Sequence, residues 1–163
     1  MVALKVEDVR SFTSKLFVKE DFDRFLVKEI NIITYNSFTI DGHVRQGYYT
    51  QEELEENRIE DFSSWKMLRP LCFSLIKGKK LPGSFHIVLS LAPGDVEKFA
   101  SSLGTGIDGS QIQGLYLNIR YEDGALYCIT GTSLNFFTLD KTLENEWDNA
   151  VKVFMRSHEI VCT

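Results

Sequence analysis

The chain has 163 residues, 44% hydrophobic and 25% charged, enough to bury the core of one domain and too apolar for global disorder. Its formal net charge of −5 gives no global attraction to nucleic acid or anionic membrane, although a local basic patch stays open. Three cysteines, Cys72, Cys128 and Cys162, are odd in number, far apart and outside any CxxC or CxH pair, which argues against a disulfide framework or a zinc site and fits reduced thiols in the cytoplasm.

The opening residues meet charge at Lys5 before any apolar run develops, so no signal peptide is predicted. No apolar run approaches the roughly 20 residues of a membrane span. Ala3 to Val6 reads as a short strand. Val6, Val9, Phe12 and Leu16 then recur at helical spacing, with Glu7 and Asp8 at the start, where the helix dipole favours acid. Arg24 to Tyr35 is rich in Leu, Val and Ile and ends in a turn at Tyr35-Asn36-Ser37. Phe38 to Ile40 alternates, and Asp41-Gly42 predicts a hairpin leading into His43 to Tyr49. Thr50 and Glu53 fit a capping box on a short, Glu-rich surface helix.

Trp65, Leu68, Cys72 and Leu75 mark the buried stripe of a helix ending near Gly78. Pro70 either kinks this helix or belongs to its first turn. Ser84 to Leu91 alternates as a strand, and Asp95 to Leu103 follows as a helix stopped by Gly104. Thr105 to Ser110 is a polar, Gly-rich loop. Leu115, Leu117, Ile119 and Tyr121 alternate along the next strand. Glu122-Asp123-Gly124 turns the chain into Ala125 to Thr130, and Gly131-Thr132 turns it again into Leu134 to Leu139. A final helix over 142–158 carries Leu143, Trp147, Val151 and Phe154 on its apolar stripe, with Asp140 or Thr142 as its cap.

The two strand-to-helix entries match at one offset. Asp8, Val9, Phe12, Ser14 and Leu16 align with Asp95, Val96, Phe99, Ser101 and Leu103, and the same offset pairs Ile30-Asn31-Ile32 with Leu117-Asn118-Ile119. The predicted fold is therefore α+β and mostly antiparallel: one domain, 1–163, built from duplicated β-α-β-β-β units at 2–49 and 84–139. A helix-bearing linker, 50–83, joins the units and the C-terminal helix follows. Two such units resemble one domain of the DNA sliding clamps, which implies helices on one side and sheet on the other, related by a pseudo-two-fold. Clamp helices facing DNA are basic. Here the outward positions are mixed, with Asp8, Arg10 and Lys15 on one helix and Asp95, Glu97 and Lys98 on the other. The segments Trp65-Lys66-Met67-Leu68-Arg69-Pro70 and Asn145-Glu146-Trp147-Asp148 resemble an uncharacterised family of clostridial-type bacterial proteins, known only as a domain of unknown function. That resemblance implies no activity.

The candidate binding residues are Lys66, Arg69, Lys77, Lys79 and Lys80. Lys66 and Arg69 share a helix face, and a Gly78-Lys79-Lys80 loop adds two ammonium groups, a set suited to a phosphate or an acidic partner. The competing reading makes Lys79 and Lys80 a solvated complement to the helix C-terminus. No phosphate-loop or dinucleotide glycine pattern is present. The Glu52 to Asp61 stretch lacks calcium-loop spacing. Cys72 and Cys128 read as small core residues, with pairing to His43 or His86 as the catalytic alternative. His43, His86 and His158 fall at no metal-ligand spacing. Trp65 and Trp147 read as core or interface. No cofactor is implied. The sequence favours a non-catalytic binding module acting on a protein partner or on itself. The alternatives are a small-ligand protein or enzyme using the basic cluster, and nucleic-acid binding through that cluster.

Overall fold

The computed structural model describes every residue except Lys79, Leu81 and Thr105. In chain order it contains β1 (Ala3–Lys5), α1 (Val9–Phe17), β2 (Leu26–Ile33), β3 (Ser37–Asp41), α2 (Gln51–Glu56), α3 (Trp65–Ile76), β4 (Ser84–Ser90), α4 (Pro93–Leu103), β5 (Ile112–Glu122), β6 (Ala125–Leu134) and α5 (Thr142–Ser157). The six strands form one antiparallel sheet in the order β1-β6-β5-β4-β2-β3. The fold is α+β.

Strand pleating sorts the sequence into two faces. Leu4, Cys128, Ile119, Ile87, Ile30 and Ile40 are directly paired neighbours across all six strands, so one row of apolar side chains crosses one face. Phe12 and Leu16 of α1, Trp65 and Cys72 of α3, Val96 and Ala100 of α4, and Leu143, Trp147, Val151 and Met155 of α5 are buried in the same core as that row. These four helices therefore share one face of the sheet. On the other face the adjacent row reads Lys5, Tyr127, Arg120, His86, Asn31 and Thr39, none of them buried. At one corner of that face Phe62 packs beneath the Lys28 ammonium at 4.0 Å.

Local chemistry sets the boundaries. Asp8 caps α1 by accepting from Ser11 N at 3.0 Å, and Ser64 caps α3 through Met67 N at 3.2 Å. Thr50 and Glu53 complete the capping box of α2. Asp140 accepts from the Thr142 N–H and hydroxyl at the start of α5. Gly104 ends α4 at φ 63°, in the left-handed region. Asp123 and Gly124, both at positive φ, form the two-residue turn joining β5 to β6. Pro70 lies at the sixth position of α3 and the helix runs through it. Its missing N–H leaves the Lys66 carbonyl without a helical donor, on an exposed face of the helix.

Several expectations are corrected. Gly42 starts no hairpin into a strand at His43. The β2–β3 turn lies at 34–36, and the chain after Asp41 leaves the sheet through a 3₁₀ turn at Gln46–Tyr48. Gly42 is there for proximity: a Cβ on it would lie 1.8 Å from the Val27 carbonyl oxygen. Nor does the chain turn at Gly131-Thr132, since β6 stays paired with β5 from Ala125 to Leu134. Neither 2–49 nor 84–139 therefore contains a third strand after its helix. Their strands also pair differently. Exchanging the two spans would require β1 beside β2, as β4 is beside β5, yet β1 lies at the far edge on β6. The aligned acids do different work. Asp8 is the α1 cap, while Asp95 is the third residue of α4 and pairs with Arg24 at 3.2 Å. The offset match is a property of the sequence that the sheet does not repeat.

Candidate functional site

Helices α1 and α3 are pinned together at one end. The Trp65 indole N–H donates to the Leu16 carbonyl at 2.8 Å. Arg69 grips both Asp23 oxygens, at 2.8 and 2.9 Å, and donates to the Val18 carbonyl at 3.2 Å. Beside this joint, between α1 and the chain from Phe73 at the end of α3 to Gly78 beyond it, a groove of about 600 Å³ opens. Its floor is aromatic. Phe17 meets Phe85 edge-on at 5.2 Å, and Phe85 stacks on Tyr121 at 5.3 Å. Phe73, Ile76 and Val18 form apolar walls, and both Phe73 and Val18 are exposed.

The polar rim of this groove is cationic. Arg10, Lys77 and Lys80 line it, and among the described residues no acidic side chain does. Gly124 contributes to the lining, whereas Glu122 and Asp123 of the same turn do not. The ion pairs of the described residues use Arg24, Arg45, Arg58, Arg69 and Lys141 and leave these three cations without a carboxylate. Arg10 also sits in the first turn of α1, which contains no acid. A cation there opposes the helix dipole. Lys77 and Lys80 lie beyond the carbonyl end of α3, whose partial negative charge they complement. An apolar lining with a few cations at its edge is a composition shared with small-ligand clefts.

The structure divides the five cations expected to act together. Lys77 and Lys80 reach the groove. Arg69 is committed to Asp23, with side chains only 16% and 12% exposed, and serves the helix packing. Lys66 is exposed on the first turn of α3, about 16 Å along the axis from Lys77 at 1.5 Å per residue. Lys79 lies outside the described residues. Arg10, the third cation lining the groove, is hidden in the sequence because its neighbours Asp8 and Lys15 make α1 look evenly mixed in charge. In the fold both are occupied, Asp8 by the cap and Lys15 by the carbonyls of His158 and Glu159 at 2.7 and 3.0 Å.

The other candidate chemistries are set apart in space. Burial pushes the Cys72 thiol up to about 12 and raises Cys128 further, so neither is a thiolate at neutral pH. His43 packs on Phe62 and meets Asp41 at 2.6 Å. His158 packs on Phe154 and meets Asp21 at 2.8 Å, and His86 lies on the uncovered sheet face. Both Trp65 and Trp147 are core residues, the latter donating to the Tyr116 carbonyl at 3.0 Å. Among the described residues no group of three or more His, Cys, Asp or Glu is placed to hold a metal ion, and no helix is long and apolar enough to cross a membrane.

Neither the curated proteins nor the solved structures give a match to this chain. A family match spans residues 15–162, from within α1 to the last bridge of the sheet with Cys162. The chain belongs to DUF5721, a family of unknown function.

Proposed function

We propose that this protein is a non-catalytic binding protein, and that the groove between α1 and the end of α3 takes a small amphiphilic anion. The ligand has an apolar body and one carboxylate or phosphate head. The observation that carries this reading is the pairing of an aromatic floor with three cations and, among the described residues, no lining acid. The volume, about 600 Å³, lies within the roughly 300–1,000 Å³ of small-molecule clefts. The apolar body gains by leaving water, at about 25 cal/mol per Å² buried. Its head gains charge-assisted hydrogen bonds at Arg10, Lys77 and Lys80. Buried thiols and scattered histidines supply no nucleophile and base beside this groove, which favours binding over catalysis.

Calorimetric titration with decyl phosphate, decanoate and decanol tests the reading. Both anions are expected to bind more tightly than the alcohol, to weaken as salt is raised, and to lose affinity in Arg10→Ala and Lys77→Ala. The ratio of the two anions identifies the head. Equal affinity for decanol and the anions, or anion binding untouched by both substitutions, would overturn it.

A further inference from the structure

The two edges of the sheet are treated differently by the chain. Strand β1 is covered on its outer side by the C-terminal residues: Lys5 and Thr163 exchange backbone hydrogen bonds of 2.9 Å each, and Val6 bridges to Cys162. Among the described residues strand β3 has no such cover. Three bonds show which of its groups point outward. Gly42 N donates to the Lys28 carbonyl and Thr34 N to the Asn36 carbonyl, while the Ile33 carbonyl turns away from β3 to accept from Gly83 N. Hydrogen-bonded and non-bonded pairs alternate along an antiparallel ladder. Phe38 and Ile40 therefore spend their backbone groups on β2, and Ser37, Thr39 and Asp41 aim theirs at solvent. Among the described residues those outward groups meet no backbone partner. The usual protections of an open edge, an inserted proline, a lysine or a bulge, are missing from Ser37–Asp41.

We infer that β3 is a self-association edge, and that its partner is β3 of a second copy, running antiparallel about a two-fold axis at Thr39. The register is self-complementary. Ser37 faces Asp41 of the second copy twice over, Thr39 faces Thr39, and no like charges are opposed. Asp41, the only charge on the strand, is already matched by His43 and Arg45. The same register puts Phe38 opposite Ile40 of the second copy. These two side chains end the apolar rows of the core face and are only partly buried for want of a seventh strand. An extended peptide would satisfy the backbone groups, but only a second copy supplies this apolar and charge match from the chain's own residues. A five-residue edge is short, so the dimer is a weak one that forms as concentration rises.

Sedimentation equilibrium of the full chain, with hydrogen exchange read residue by residue, tests this. The mass is expected to rise from 18.7 kDa toward twice that value with concentration. The amides of Ser37, Thr39 and Asp41 should gain protection over the same range, while those of Phe38 and Ile40 stay protected throughout. Thr39→Lys, which opposes two ammonium groups at the axis, should raise the dimer Kd by about tenfold or more. Thr39→Pro breaks no backbone bond to β2, removing an outward N–H, which an edge strand tolerates, and the exposed hydroxyl that accepts from Asn31 at 3.0 Å, and should leave a monomer. A wild-type chain that stays monomeric to its solubility limit overturns the inference. So does a dimer in which Thr39 exchange is independent of concentration, because association then uses another surface.

Discussion

Replacing Arg69 by alanine separates a structural cation from a ligand cation. The guanidinium binds Asp23 through two nearly parallel bonds, 2.8 and 2.9 Å, and a third reaches the Val18 carbonyl. With side-chain exposures of 16% and 12%, the pair is shielded but not dry. Breaking one partner of a fully buried pair costs about 3–5 kcal/mol, because the other charge is left uncompensated. Water reaching the Asp23 carboxylate lowers that to about 2–3 kcal/mol here. That is a large share of the roughly 5–15 kcal/mol that holds a domain folded. Lys77→Ala and Lys80→Ala, which break no pair, should stay within about 0.5 kcal/mol of the parent chain. Equilibrium urea unfolding of the three variants, completed with Asp23→Ala and the double variant, measures both losses and the coupling between the partners, expected at about 1–3 kcal/mol. An Arg69→Ala chain as stable as the parent, or one that keeps its stability while losing decyl phosphate binding, would return Arg69 to the proposed ligand site and refute its structural role.

Two further outcomes follow from the packing. Gly42→Ala forces a methyl group to 1.8 Å from the Val27 carbonyl oxygen and disturbs two bonds, Gly42 N to Lys28 O and Ser63 N to Gly42 O. A loss of about 2–4 kcal/mol in urea unfolding is expected, and a loss under about 0.5 kcal/mol would mean the contact relaxes freely. Cys72, whose folded value is pushed up to about 12 by burial from an ordinary 9.0, makes stability fall in alkali. Below pH 9 both folded and unfolded chains keep the proton, and between pH 9 and 12 only the folded chain does. Stability should therefore drop by about 1.4 kcal/mol per pH unit in that window on account of this thiol. Cys72→Ala should make the alkaline decline of the melting temperature shallower, and an unchanged slope would show that the thiol ionises in place.

Most of the architecture is legible because periodicity reports burial. Ile87 and Leu89 on β4 and Leu117 and Ile119 on β5 alternate in sequence for the same reason that they share a face. Capping residues are equally local: Thr50 and Asp8 satisfy donors three residues away. What stayed hidden depends on partners distant in sequence. Asp41-Gly42 carries the chemistry of a tight turn, but the glycine is required by Val27, on another strand. Gly131 looks like punctuation until Tyr116 is opposite it in the ladder. Asp8 and Asp95 look equivalent until one is seen capping its helix and the other pairing with Arg24.

The same distinction governs the site. Spacing alone grouped Lys66 and Arg69 on one helix face with the lysines downstream. A cation is free to bind a ligand only if no other segment has claimed it, and Asp23 claims Arg69 from 46 residues away. Conversely, Arg10 lines one groove with Lys77 and Lys80 because α1 and α3 are packed side by side through Trp65 and Arg69, a contact between segments about 50 residues apart. The acidic total of the chain misleads in a parallel way. Glu52, Glu53, Glu55 and Glu56 sit on α2, a helix with no buried residue, and none of them lines the groove. Net charge sets how the whole molecule meets a polyanion at long range, whereas screening beyond about 8–10 Å means that the small anion proposed for the groove would respond to the three cations lining it.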